Sequence, residues 1–158
     1  MSCAEMARIA TGFADLSLPK AEWTHQAHFA TALWLLMRRP DILPERDMPG
    51  MIRRYNESVG GVNSDTSGYH ETITQASIRV ARHLLAGLWA EVSPQDALAA
   101  LMASPLGDKD WLFVHWSRDR LMSVEARRSW VEPDLTALPD SDEGRVTPKS
   151  RSTPPASD

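Results

Sequence analysis

Apolar residues recur along this chain at intervals of three and four, and no alternating β-branched stretch is sustained. The spacing predicts helices throughout. The first covers about residues 4–16 and is weakened by Gly12. Thr24 is a good N-cap for a second, which Pro40 ends, and Asp47 with Pro49 just inside marks the start of a third that stops at Gly60-Gly61. After a polar loop over 62–68, Thr66 or Ser67 is expected to cap a long helix reaching about residue 88. Further helices are predicted over about 94–103, opened by Ser93-Pro94, over 108–121, and over 124–130. The expected fold is all-α: a compact single-domain bundle of six or seven helices spanning 1–136.

Beyond that point the pattern dissolves. From Pro133 to the end the chain holds five of its eleven prolines and no aromatic residue. Residues 137–158 are therefore predicted to form a disordered tail, because so polar a segment cannot bury enough to offset its ordering entropy.

Two of the helical stripes carry polar residues where periodicity asks for apolar ones. In the helix after Thr24 the stripe Ala32, Leu35, Leu36 runs back through Phe29 to His28 and His25. In the helix after Ser67 the stripe Leu88, Leu84, Ala81, Val80, Ser77, Ile73 runs back to His70, with Thr74 beside it. Both stripes turn polar at their N-terminal ends. Burial and the positive helix terminus each disfavour imidazolium, so these histidines are expected to be neutral near pH 7. A neutral histidine can serve as a base, ligate a metal or polarise a carbonyl, and the same termini favour an anionic ligand.

Candidate chemistry follows from this placement. His25, His28 and His70 form a potential three-imidazole set for one divalent metal ion, although the spacing matches neither H-E-x-x-H nor the paired E-x-x-H pattern of di-iron bundles. His70 is the candidate general base, with Glu71 and Tyr69 as proton donor or acceptor. Thr74, Tyr55 and Arg127 are the candidate substrate contacts; Tyr55 lies on the stripe of Met48, Met51 and Ile52, so core packing competes with that role. The competing account for all three histidines is a core position with both nitrogens satisfied by backbone or by Thr24, Thr74 and Ser77. His83 falls off its helix's apolar stripe, and His115, between bulky neighbours, reads as a packing residue.

Composition narrows the classes. With 158 residues, a net charge of −4 and a pI near 5.7, the chain suits neither a broad nucleic-acid-binding surface nor a metal- or disulfide-stapled miniature fold. Cys3 is the single cysteine, which excludes a Cys-rich zinc module and an internal disulfide. The longest apolar run, residues 29–37, is far short of the roughly 20 residues of a membrane span, and the opening residues lack a signal-peptide core; a cytoplasmic location is expected. No P-loop, G-x-G-x-x-G, G-x-S-x-G or C-x-x-C occurs, so no nucleotide cofactor is expected. Arginine outnumbers lysine fourteen to three, mostly near carboxylates at helical spacing, as surface pairing requires.

Three strings carry a resemblance: Trp23-Thr24-His25-Gln26-Ala27-His28, Gly68-Tyr69-His70-Glu71-Thr72-Ile73-Thr74, and the segment from Ser123 through Arg127, Trp130 and Pro133 to Asp134. Over roughly residues 18–138 the chain resembles a group of small bacterial proteins usually described as uncharacterised. The resemblance implies a compact bacterial domain and no particular activity. The residues themselves lead to two expectations. One is a small enzyme acting on a small, anionic molecule through the histidine cluster, with or without a metal. The other is a non-catalytic bundle that engages a protein partner or a second copy of itself.

Overall fold

The computed structural model describes residues 1–139, and these form seven α-helices and three short 3-10 turns, with no strand among them. Helix α1, Cys3–Ala14, opens with a full capping box in which Ser2 and Glu5 exchange hydrogen bonds. It packs along α2, His25–Arg38. Gly12 lets the returning chain close in, because a Cβ there would stand 3.2 Å from Leu18 Cβ. Thr24 caps α2 as expected, accepting from Ala27 N–H at 3.2 Å.

Helix α3, Pro44–Ser58, starts three residues earlier than the Asp47 signal predicted. Asp47 reaches back to accept from Leu43 N–H at 2.9 Å, so it caps the helix from within its first turn. Pro49 consequently lies inside α3 and cannot donate to the Glu45 carbonyl one turn earlier. Gln75, on α4, supplies the missing donor to that carbonyl at 3.0 Å.

Helix α4, Glu71–Ala86, begins later than predicted, and its N-cap is His70 itself rather than Thr66 or Ser67. Helix α5, Pro94–Ala103, matches its prediction. The expected helix over 108–121 does not form as one element. It is replaced by a 3-10 turn, Trp111–Val114, and a single α-turn, α6, Arg118–Leu121. The chain end competes for its backbone: the His115 carbonyl accepts from Leu135 N–H at 2.9 Å, and the Trp116 indole donates to Val131 O at 3.1 Å. Helix α7, Val124–Arg128, is capped by Ser123.

Met6, Phe29, Leu33, Val80, Leu98 and Trp116 anchor the main core, to which α3 adds nothing: its Met48 and Tyr55 pack in two smaller clusters. Leu138 is 8% exposed and belongs to the main core. The packed domain therefore runs past the predicted edge at 136, and the rest of the predicted tail, 140–158, lies outside the described residues. No helix among the described residues is long and apolar enough to cross a membrane.

Candidate functional site

The two polar-ended stripes face each other across a cavity of about 470 Å³. Helix α2 contributes His25, His28, Phe29 and Ala32, helix α3 contributes Met48, Ile52 and Asn56, and α4 contributes Ile73, Thr74, Ser77 and Ile78. Each set repeats at three or four residues, so three helix faces form the walls. Tyr69 and His70 enter from the loop before α4, and Lys109, Trp111 and Leu112 close a further side. His25, His28, His70, Tyr69 and Thr74 thus all line this one cavity.

The three histidines differ in what their nitrogens do. His70, buried, donates from Nε2 to Leu121 O at 2.7 Å, while its Nδ1 accepts from Ile73 N–H at 3.2 Å. A carbonyl can only accept and an amide N–H can only donate, so these partners fix one neutral tautomer and use both ring nitrogens. Burial holds the His70 pKa below its ordinary value, and the nearby Arg127 charge acts in the same direction. His70 is left with no lone pair for a base or a metal ligand, which corrects both roles predicted for it. His25 donates from Nε2 to Leu106 O at 2.9 Å, and its Nδ1 has no hydrogen-bond partner among the described residues. His28 has no side-chain hydrogen-bond partner among the described residues and packs on Trp23 with ring centroids 4.2 Å apart. Its ring is exposed, yet protein is densely packed around it; desolvation, with a smaller contribution from His25, lowers its pKa to about 4.

Trp23 is fixed from its other side by stacking on Phe13 at 4.5 Å and 7°. Among the described residues no group of three or more His, Cys, Asp or Glu side chains is gathered as a metal-binding set, so the predicted trio is not assembled as one.

Tyr69 is buried and donates its phenol to Glu71, whose other oxygen accepts from Gln75 Nε2 at 3.1 Å. Burial and that bond raise the Tyr69 pKa well above the usual phenol range, so it stays protonated; Thr74 and Arg53 act in the opposite sense. The Arg53 guanidinium lies 4.1 Å from the Tyr69 ring centroid. Gly68, at φ +79°, turns the chain into this position, and a Cβ there would meet Val62 O at 2.5 Å.

Two predicted substrate contacts are elsewhere. Tyr55 is fully buried and donates its hydroxyl to Leu18 O at 3.1 Å, which makes it a core residue. Arg127 donates to the carbonyls of Gly68 at 3.0 Å and Tyr69 at 3.3 Å, from behind the loop. It holds the cavity wall instead of lining it, while Arg128 pairs with Asp65 at 2.6 Å. All three strings that carry the resemblance therefore converge on one structure.

Sequence reasoning missed Asn56, Lys109 and Trp111. Asn56 could have been found, since it continues the Met48, Ile52 face by four. No periodic signal marks Lys109.

No family model, curated protein or solved structure matches this chain.

Chemically the site offers an apolar enclosure with few polar groups left uncommitted. Ser77 donates to Ile73 O at 2.7 Å, Asn56 to Asn63 Oδ1 at 3.1 Å, and Tyr69 to Glu71. Of the three histidines, His28 alone has neither nitrogen engaged.

Proposed function

We propose that this domain binds a small molecule in the cavity between α2, α3 and α4, and that His28 engages the ligand's polar centre. The observation that carries the reading is His28 itself: a neutral imidazole with both nitrogens uncommitted, facing a space of about 470 Å³. At ~30 Å³ per liquid water that space is equivalent to about sixteen waters, within the usual range of small-molecule sites.

The downward pKa shift of His28 supports a particular role for it, because it favours the neutral ring at pH 7. An effective general base has a pKa close to the working pH, and this group is far too weak a proton acceptor at pH 7. Its neutral ring offers one N–H and one lone pair, which suits it to recognise or polarise a carbonyl or hydroxyl. Any acid–base step on the ligand would then be carried by hydrogen bonds that His28 donates or accepts, not by a standing imidazolium. A divalent ion on His25, His28 and His70 would require a His70 nitrogen to give up its backbone partner, the Ile73 amide at Nδ1 or the Leu121 carbonyl at Nε2, so the reading proposed is metal-free.

The test is a fragment screen by ligand-observed NMR, with His28 ring carbon shifts as the protein reporter. Bound fragments should move the His28 signals and lose affinity at least fivefold in His28→Phe, while His83→Ala binds normally. Fragments that bind with unchanged affinity in folded His28→Phe, or none binding at all, would overturn the reading.

A further inference from the structure

Among the described residues that line the cavity, Lys109 is the one lysine or arginine, and the local fold sets its place. The 3-10 turn Pro105–Gly107 is tied to the start of α2 by the bond from His25 to Leu106 O. Gly107 then lies so close to the end of α5 that a Cβ would stand 2.0 Å from Met102 O, so only glycine allows this approach. The chain leaving that turn presents Lys109 to the cavity two residues before Trp111.

Lys109 is exposed and forms no ion pair among the described residues. Asp108 and Asp110 flank it in sequence but do not line the cavity, and Asp108 Oδ1 is engaged by the Asp110 N–H at 2.9 Å. Inside, the one carboxylate near the wall, Glu71, is already satisfied by Tyr69 and Gln75. The walls thus combine an apolar, ring-lined interior built on Phe29 and Trp111, whose centroids are 6.3 Å apart, with the Lys109 charge at the edge; Arg53 lies over the Tyr69 ring and does not line the cavity.

We infer that Lys109 selects the charge of the ligand, and that the cavity takes an organic monoanion: an aromatic or comparably apolar body inside, with its carboxylate against the Lys109 ammonium. This rests on the binding reading above and adds the ligand's class to it. A cationic ligand would meet Lys109 as a like charge, and a neutral one would leave the ammonium without a partner.

The experiment compares three probes of matched shape, cinnamate, cinnamamide and cinnamylammonium, by ligand-observed NMR titration against the full chain and Lys109→Gln. Because Lys109 is exposed, the substitution leaves the core untouched. Cinnamate should bind about fivefold more tightly than cinnamamide in the native protein, as an ion pair at a solvent-accessible edge allows. Cinnamylammonium should be the weakest probe in the native protein, and both charge effects should shrink with added salt and vanish in Lys109→Gln. If cinnamamide binds native protein as well as cinnamate does, or if the preference survives Lys109→Gln, the inference fails while the binding reading stands. If none of the three binds while other fragments of the screen do, the inference fails and the binding reading stands; if no fragment binds either, both fail.

Discussion

Replacing His70 by alanine separates a structural histidine from a catalytic one, and the structure sets the size of the effect. The substitution removes the cap on the Ile73 amide, worth about 1 kcal/mol at a helix N-terminus. It also leaves the Leu121 carbonyl unpaired in a buried setting, which costs about 1–3 kcal/mol. Together these come to about 2–4 kcal/mol, a large share of the 5–15 kcal/mol typical of a domain. Asparagine caps helices well but cannot reach Leu121 from the same position, so His70→Asn should recover about 1 kcal/mol of the loss. Urea unfolding monitored by circular dichroism measures all three proteins. The pH dependence supplies a second readout. Burial lowers the His70 pKa in the folded state, so the unfolded chain takes up its proton more readily. The stability this residue contributes is complete above its unfolded value of 6.5 and is lost as pH falls toward the folded value. His70→Asn should lack that part of the acid sensitivity. If His70→Ala unfolds within 0.5 kcal/mol of the native protein, or asparagine restores nothing, His70 does not tie α4 to α6 as described.

Three further outcomes are expected. Gly68→Ala should destabilise by at least about 1–2 kcal/mol, from its positive φ and the contact with Val62 O, and should weaken probe binding by displacing Tyr69; thermal melts with and without ligand check both. Gln75→Ala should cost about 1–2 kcal/mol by orphaning the Glu45 carbonyl, and the cost should shrink when Pro49→Ala restores an N–H to that carbonyl; a double-mutant cycle that shows no coupling rules this out. NMR titration of the His28 ring should give a midpoint near pH 4, and bound anionic probe should raise it, since a negative charge nearby favours imidazolium.

The location of the site was legible because helical periodicity is a local property. His25 and His28 on one stripe and His70 on another needed only their neighbours to be placed at the polar ends of two apolar faces. The state of each histidine was not legible, because it depends on distant backbone. Leu106 is 81 residues from His25, and Leu121 is 51 from His70. Nothing in a local pattern says which carbonyl will arrive. Pro49 misled for the same reason: proline reads as a helix start unless a donor such as Gln75 replaces its missing N–H from another element. Tyr55 sits on the stripe the sequence indicated, but its hydroxyl was claimed by Leu18, in the turn after α1. The helix expected over 108–121 was lost to hydrogen bonds from residues 131–136, which no window of that length includes.

The contacts behind the cavity wall also order events in time. Arg127 braces the carbonyls of Gly68 and Tyr69, the Leu121 carbonyl accepts a hydrogen bond from His70, and Thr72 exchanges hydrogen bonds with Ser129 and Val131. During synthesis, α2, α3 and α4 emerge well before any of these partners exist. A nascent chain halted near residue 115 would carry nearly every cavity-lining residue and still lack the supports that fix His70 and Tyr69. At about 5–20 residues per second, the ribosome holds the chain in that unfinished condition for a second or more. On the binding reading, competence is therefore acquired only after residues 121–131 have left the ribosome, and a fragment without α6 and α7 should lack it.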